Sequence, residues 1–283
     1  MVKLTIGMAT YNDYHGCYFT LQSIRMHHKN VLYKIELVVL DNSPDSKHGN
    51  SVKKLCKDIN AKYVPYTEKQ STSIRSEIFK HATGTHVLVL DCHVLLWENS
   101  LEKLIEYYEN NFDSYDLYHG PLVYDDMNNL STEMLGKWND GFYGVWHTDK
   151  RGLDIDYPPY EINCHGLALF SCKKEAWLGF NPLFSEFGGE EGYIHEKYRL
   201  NGHKVYCLPF LRWLHRFDRP DGVPYKLSWD SRMYNYFIGW LELCLDVEEA
   251  KRHFYKKLNN KQLVDTIYKK ARLDFDIYFN KED

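Results

Sequence analysis

Three short apolar runs, Leu4 to Ala9, Ile35 to Leu40 and Val87 to Leu90, are separated by segments whose apolar residues recur at helical spacing, and this alternation constrains the fold more than any other feature of the chain. Ile35-Glu36-Leu37-Val38-Val39-Leu40 is nearly unbroken, as expected of a strand covered on both faces, the usual condition of parallel strands. Between the runs, Val52, Leu55, Cys56 and Ile59 mark one helix face, and Ile74, Ile78, Phe79 and Ala82 another, with Gly84 placed to end the second helix as its C′ glycine. Strand, helix, strand, helix, strand is the βαβ alternation of a doubly wound α/β sheet. In such sheets ligands sit just outside the carboxyl ends of the strands. The positions that follow the runs are Thr10-Tyr11-Asn12-Asp13, Asp41-Asn42-Ser43 and Asp91-Cys92-His93.

Further along, Asn99 or Ser100 suits the N-cap of a helix carrying Leu101, Leu104, Ile105 and Tyr108 on one face. Residues 115–159 read as an irregular, loop-like region rich in Asp, Asn, Gly and Trp. Leu167 to Phe170 reads as a strand, Phe187-Gly188-Gly189-Glu190-Glu191 opens a helix that ends near Asn201-Gly202, and Val205 to Leu208 is a last strand. Beyond Pro220 the pattern is helical, with Asp230 as a cap and Met233, Phe237, Trp240 and Leu241 on a stripe. A chain of 283 residues suits one large domain with this helical tail as an appendage.

Composition narrows the function classes. At 44% hydrophobic and 26% charged residues, disorder and coiled coil are excluded. A net charge of -4 argues against gripping nucleic acid through an overall positive field, although Lys251 to Arg272 is locally basic, with Asp265 its one acid. The aromatic share is 16%, including 23 Tyr, which suits clefts for sugars or bases as well as core filling. No stretch reaches the roughly 20 apolar residues of a membrane span, and Lys3-Leu4-Thr5-Ile6-Gly7 carries no signal-peptide core, so a cytoplasmic protein is expected. Seven cysteines without a Cys-x-x-Cys pair fit free thiols and argue against a zinc-cysteine site.

Asp91-Cys92-His93 sets two metal-ligand side chains at i and i+2 past a buried strand, where an extended or turning backbone can aim both at one ion. His215, after the last strand, would reach the same sheet edge. Two imidazoles and one carboxylate favour an ion such as Mn²⁺ over an all-oxygen Mg²⁺ site. In Gly188-Gly189-Glu190-Glu191 the glycines allow a tight turn against a ligand, and one carboxylate can act as general base while the other orients a hydroxyl group. Adjacent acids at a helix start are also favoured simply by the helix dipole.

These residues carry a resemblance. Leu4 to Asn12, Val38 to Ser43, and Ser73 through Asp91 resemble the opening strands, helix and metal-bearing strand end of GT-A fold glycosyltransferases of family 2. The Asp-Cys-His triplet, Phe187-Gly188-Gly189-Glu190 and His215-Arg216 are similar to segments of the polypeptide N-acetylgalactosaminyltransferases. The resemblance covers about residues 3 to 217. It implies a GT-A domain over 1–217, with 1–98 as the nucleotide-sugar half and 99–217 as the acceptor half, and 218–283 as a C-terminal extension. It further implies a nucleotide-diphosphate-sugar donor, a UDP-sugar above others, with Thr10 and Tyr11 flanking the base, Asp41 on the base or ribose and Arg75 near the base or diphosphate. Asp91, His93 and His215 would hold the cation. The pair Glu190-Glu191 resembles the inverting enzymes more than the Gly-Gly-Glu-Asn of the retaining ones, which makes Glu191 the base while leaving Glu190 open.

For the acceptor, Trp138, Trp146, His147, Asp149 and His165 lie in or beside the irregular middle. A small, Lys/Asn/Tyr-rich chain also resembles the T-even-type bacteriophage enzymes that add sugar to glucosylated hydroxymethylcytosine in DNA. Polysaccharide, lipid-linked sugar and protein acceptors stay open, as does a non-catalytic nucleotide-sugar binding module. A sugar-phosphate nucleotidyltransferase would need a glycine-rich loop after the first strand, where Ala9-Thr10-Tyr11-Asn12-Asp13 has none.

Overall fold

A computed structural model describes residues 3–218 and 222–279. The first part runs β1 (Leu4–Thr10), α1 (Tyr14–His27), β2 (Ile35–Asp41), α2 (Lys47–Ile59), β3 (Lys62–Pro65), α3 (Arg75–His81) and β4 (His86–Asp91). There follow β5 (Val94–Leu96), α4 (Ser100–Asn110), β6 (Leu117–His119), β7 (Leu122–Val123), β8 (Leu130–Ser131), β9 (Glu133–Asn139) and β10 (Phe142–His147). Then come β11 (Tyr160–Glu161), β12 (Leu169–Lys173), α5 (Glu190–Leu200), β13 (Val205–Cys207) and β14 (Trp213–His215). The helices α6 (Trp229–Glu242), α7 (Val247–Leu258) and α8 (Lys261–Phe279) complete the order.

The central sheet has eight strands in the order β11-β13-β6-β12-β4-β1-β2-β3. It is mostly parallel, with β12 antiparallel to both β4 and β6 and β11 antiparallel to β13. The expected α/β architecture is therefore present. Its apolar runs are unbroken because both faces are covered: Val87 and Val89 of β4 enter one core cluster, while Leu88 and Leu90 enter the other. Helix α3 lies so close to β1 that a Cβ on Gly7 would sit 2.1 Å from Ile78 Cγ2, so only glycine fits there. Parallel register aligns Thr10 with Asp41 and Ala9 with Asp91, bringing the three strand ends to one edge.

Several local expectations are corrected. Helix α3 ends at Ala82 with extended backbone, and Gly84 is kept small by β1, since its Cβ would meet the Lys3 carbonyl oxygen at 2.6 Å. Residues 115–159 hold β6 to β10, including an antiparallel β9–β10 hairpin. Its turn, Asp140-Gly141 with φ of 49° and 83°, is the Asp-Gly signal of a two-residue hairpin, which the sequence carried. The strand near Leu167 begins at Leu169 and extends to Lys173. Helix α6 is capped by Ser228, whose side chain accepts from the Ser231 N–H, and Asp230 lies in the first turn.

The tail helices share the core of the sheet. Met233, Phe237, Phe254 and Val264 belong to the same buried cluster as Val87, Val89 and Ile194. The six cysteines other than Cys244 are buried, and none is in a disulfide.

Candidate active site

The cleft beyond the strand ends is lined by Thr10, Tyr11, Asp13, Asn42, Arg75, Asp91 and His93, and on its far side by Glu186 and Pro224-Tyr225-Lys226. Thr10 Oγ1 is buried there without a hydrogen-bond partner. Asp41 is fully buried and its oxygens are engaged, Oδ1 by the Ser43 N–H at 2.9 Å and Oδ2 by the Tyr63 hydroxyl at 2.9 Å. Its neighbour Asn42 lines the cleft, with its side-chain amide donating to the Tyr66 and Lys69 carbonyls at 2.8 Å.

Strand β4 ends at Asp91, a turn carries His93, and β14 pairs antiparallel with β5 so that His215 lies opposite Val94. Three ligand atoms thereby converge. His93 Nε2 is 3.1 Å from His215 Nε2, and Asp91 Oδ2 is 3.6 Å from His215 Nε2 and 3.9 Å from His93 Nε2. Ligands about 2.1 Å from one ion are about 3.0 to 3.4 Å apart in octahedral or tetrahedral cis positions, so the triad fits a divalent cation with slight contraction. Asp13 completes the arrangement. Its Oδ2 lies 3.1 Å from His93 Nδ1, so the ring donates there and directs the Nε2 lone pair at His215. Burial alone would raise the Asp13 pKa, but the bond to His93, the Gly16 N–H and Arg216 outweigh it and hold the carboxyl well below its ordinary range. The same balance, burial against Arg75, His215 and His93, holds Asp91 ionised. Asp13, Cys92 and His93 also form a second, overlapping group of possible ligands.

Arg75 links the metal-capable group to the carboxylate pair. Its Nη2 donates to Asp91 Oδ1 at 2.7 Å, and its Nη1 is 3.6 Å from Glu190 Oε1. Arg75 is 8% exposed and Glu190 1%, so Arg75 offsets two acids in a buried setting. Gly188 and Gly189 have φ of 99° and 97°, the left-handed turn that lets α5 start with both acids beside the cleft. Glu191 has no cation within ion-pair distance among the described residues. Burial first, and then the field of Glu190, push its carboxyl well above the ordinary range. The two adjacent acids thus sit differently: Glu190 lies beside Arg75, and Glu191 has its carboxyl raised by burial and by Glu190.

Other residues singled out from the sequence fall elsewhere. Trp138 packs against Tyr236, Trp240 and Phe254, and Trp146 edges onto His165. His147 pairs with Glu133 at 2.9 Å, and Asp149 caps a short turn at residues 150–153. His165 is fully buried beside His119 and His195, where burial lowers all three pKa values. Two residues beside the site carry no role in the sequence reading. Asp13 is one residue of a strand-end run in the sequence, and it also stands before a helix, where Asp is an N-cap signal. Arg232, from α6, packs over Gly188, a contact between segments 44 positions apart that no local pattern announces.

A mostly parallel sheet with a metal-capable group at its strand ends and an acid pair at the start of α5 fits the GT-A fold of glycosyltransferases. The chain belongs to glycosyl transferase family 2, whose sequence model matches residues 5–175. Comparison with curated protein sequences found no match. Among solved structures, the chain is similar to GalNAc-T7 with UDP, GalNAc and Mn²⁺, at a TM-score of 0.70 and 16% identity, over 100% of this chain and 56% of that one. This chain therefore spans little more than half of that protein's length. It is also similar to S. aureus TarS 1-349 in complex with UDP-GlcNAc, at 0.56 and 14% identity over 96% and 80% of the chains. A third is the mannosyltransferase PcManGT from Pyrobaculum calidifontis with GDP-Man and Mn²⁺, at 0.53 and 14% over 100% and 76%. At these identities the likeness is one of fold. Among the described residues no helix is long and apolar enough to cross a membrane.

Proposed function

We propose that the protein transfers a hexose, glucose above others, from a UDP-sugar to an acceptor hydroxyl with inversion, in the cytoplasm. The observation that carries this reading is the bridge of Arg75 between Asp91 of the cation triad and Glu190 of the acid pair, which sets donor and acceptor chemistry side by side. Thr10, Tyr11 and Arg75 would line the donor's nucleotide, with Asp41 supporting the base or ribose side through its strand end. Asp91, His93 and His215 would hold the cation, Mn²⁺ in preference to Mg²⁺ given two imidazoles among the donors. When bound, such a cation offsets the negative charge that grows on a departing nucleoside diphosphate.

Glu191 takes the acceptor proton as the acceptor oxygen bonds to the anomeric carbon and the bond to the diphosphate breaks. Its raised pKa suits this: a proton acceptor is effective when its pKa approaches the working pH. Glu190, held by Arg75, orients the turn. The division of labour assigns the donor mainly to residues 1–98, the acceptor mainly to 99–217, and to 218–283 an extension that adds residues to the edge of the site. Acceptors in view are glucosylated hydroxymethylcytosine in phage DNA, and glycan, lipid-linked or protein hydroxyls.

The test is thermal shift and donor hydrolysis with uridine, guanosine and thymidine diphosphate sugars, in Mn²⁺, Mg²⁺ or chelator. A metal-dependent shift with a UDP-sugar is expected. Equal behaviour in chelator, or no shift with any donor, would overturn the reading.

A further inference from the structure

Arg232 lies in the first turn of α6, is 8% exposed, and packs over Gly188, whose Cβ would come within 2.9 Å of its Cγ. A buried guanidinium is ordinarily matched by a carboxylate or by carbonyl oxygens, because an unmatched one loses its hydration without return. This one is held differently. Its central carbon stands over the rings of Phe142 at 4.0 Å, Trp229 at 4.8 Å and Phe187 at 5.8 Å. Among the described residues its guanidinium makes no ion pair or hydrogen bond, and Nε is buried without a partner.

Stacked rings engage the face of a guanidinium and leave its in-plane N–H rim free. That rim is the part that grips a phosphate or carboxylate in a forked pair of hydrogen bonds. The aromatic walls hold the fork rigid in advance and are themselves suited to stacking on a sugar or base. Arg232 is absent from the residues that line the donor cleft and lies at the Gly188-Gly189 turn leading into Glu190 and Glu191. Both acids act on it electrostatically. The position adjoins the acid pair that, on the glycosyltransferase reading, would meet the acceptor.

We infer that Arg232, with Phe142, Phe187 and Trp229, forms a seat for an oxyanion group of the acceptor, so that the hydroxyl presented to Glu191 belongs to a phosphate- or carboxylate-bearing molecule. This rests on the glycosyltransferase reading of the same site and adds the chemical class of the acceptor.

The test uses the full chain loaded with UDP and Mn²⁺ and titrated calorimetrically with glucose, glucuronic acid, glucose 6-phosphate and the dinucleotide thymidylyl-thymidine. At least one anionic probe is expected to bind about tenfold more tightly than glucose. The favoured probe separates carboxylate, phosphomonoester and phosphodiester sources. Arg232→Gln should reduce the preference to less than about twofold while UDP affinity holds, and Arg232→Lys, which keeps the charge without the fork, should retain part of it. Equal binding of all four probes to the wild type overturns the inference, as does a preference that survives in folded Arg232→Gln. Should Arg232→Gln not fold, an undiminished preference in Arg232→Lys overturns it equally. Failure of the parent reading is seen separately, as absence of Mn²⁺-dependent UDP binding in the first titration of the wild type.

Discussion

Replacing Asp13 with Asn tests whether the cation triad is held by a carboxylate behind it. Asp13 does two things at once: Oδ1 accepts the Gly16 N–H at 3.0 Å and caps α1, while Oδ2 faces His93 Nδ1 at 3.1 Å and Arg216 Nη2 at 3.0 Å. Asn caps a helix about as well as Asp, so α1 should keep its start, whereas Asp13→Ala would lose about 1 kcal/mol there. With the Asn oxygen on Gly16, its NH₂ group meets His93 Nδ1. Two donors cannot face one another, so the ring shifts its proton to Nε2, the atom that should present a lone pair to the cation. Loss of such an outer carboxylate costs about 10- to 100-fold in metal affinity, or about 1.4 to 2.7 kcal/mol. The upper end applies here because the tautomer itself is reversed. The assay is the Mn²⁺ concentration giving half-maximal UDP binding by calorimetry, with thermal unfolding as the control for α1. A midpoint within twofold of wild type, in a background where His93→Ala abolishes Mn²⁺ dependence, would refute the reasoning.

Other consequences can be measured together. Glu191→Gln should keep donor binding but lower transfer by about 100- to 10,000-fold, read as single-turnover product formation. Because the folded pKa of Glu191 is raised, the folded state binds more protons than the unfolded chain, and stability falls as pH rises past the ordinary carboxylate range. Glu191→Gln should therefore raise Tm at pH 7.5 and leave it unchanged at pH 4, and a lower Tm at pH 7.5 would contradict the burial account. The rising limb of kcat/KM should lie above that range too, and Glu190→Gln, by removing the neighbouring charge, should move it to lower pH. Asp91 behaves oppositely: its folded pKa is depressed, so its contribution is present above about pH 4 and is lost on acidification, and Asp91→Asn should flatten the acid side of the stability profile. Finally, Phe254→Ala should cost about 3 to 5 kcal/mol and shift a single unfolding transition, since this tail residue is buried in the same cluster as Val87 and Ile194; two separated transitions would show that the tail unfolds alone.

How far the site could be read in advance differs by residue. That Asp91 and His93 come together was legible because they are two positions apart at the end of an unmistakable apolar run, and a strand end restricts where both can point. Glu190 and Glu191 were legible because two glycines mark a backbone that must turn. The strands between residues 115 and 159 were obscured by short lengths and polar content: β7 and β8 have two residues each and β6 three, too few to show a period. The β9–β10 hairpin has its local signal in Asp140-Gly141, within a segment whose composition otherwise reads as loop.

What the sequence determined by itself is whatever depends on periodicity and neighbours: the βαβ order, the mostly parallel sheet, and the edge at which Thr10, Asp41 and the metal-capable Asp91 and His93 come together. What only the tertiary structure decided depends on contacts whose partners are far apart along the chain. Asp13 reaches His93 across 80 positions, Arg75 reaches Glu190 from another helix, and Arg232 arrives at Gly188 because α6 packs into the core of the sheet. Such convergence is set by close packing of elements, each of which satisfies its own local pattern in many arrangements, and no short window of residues records which arrangement is adopted.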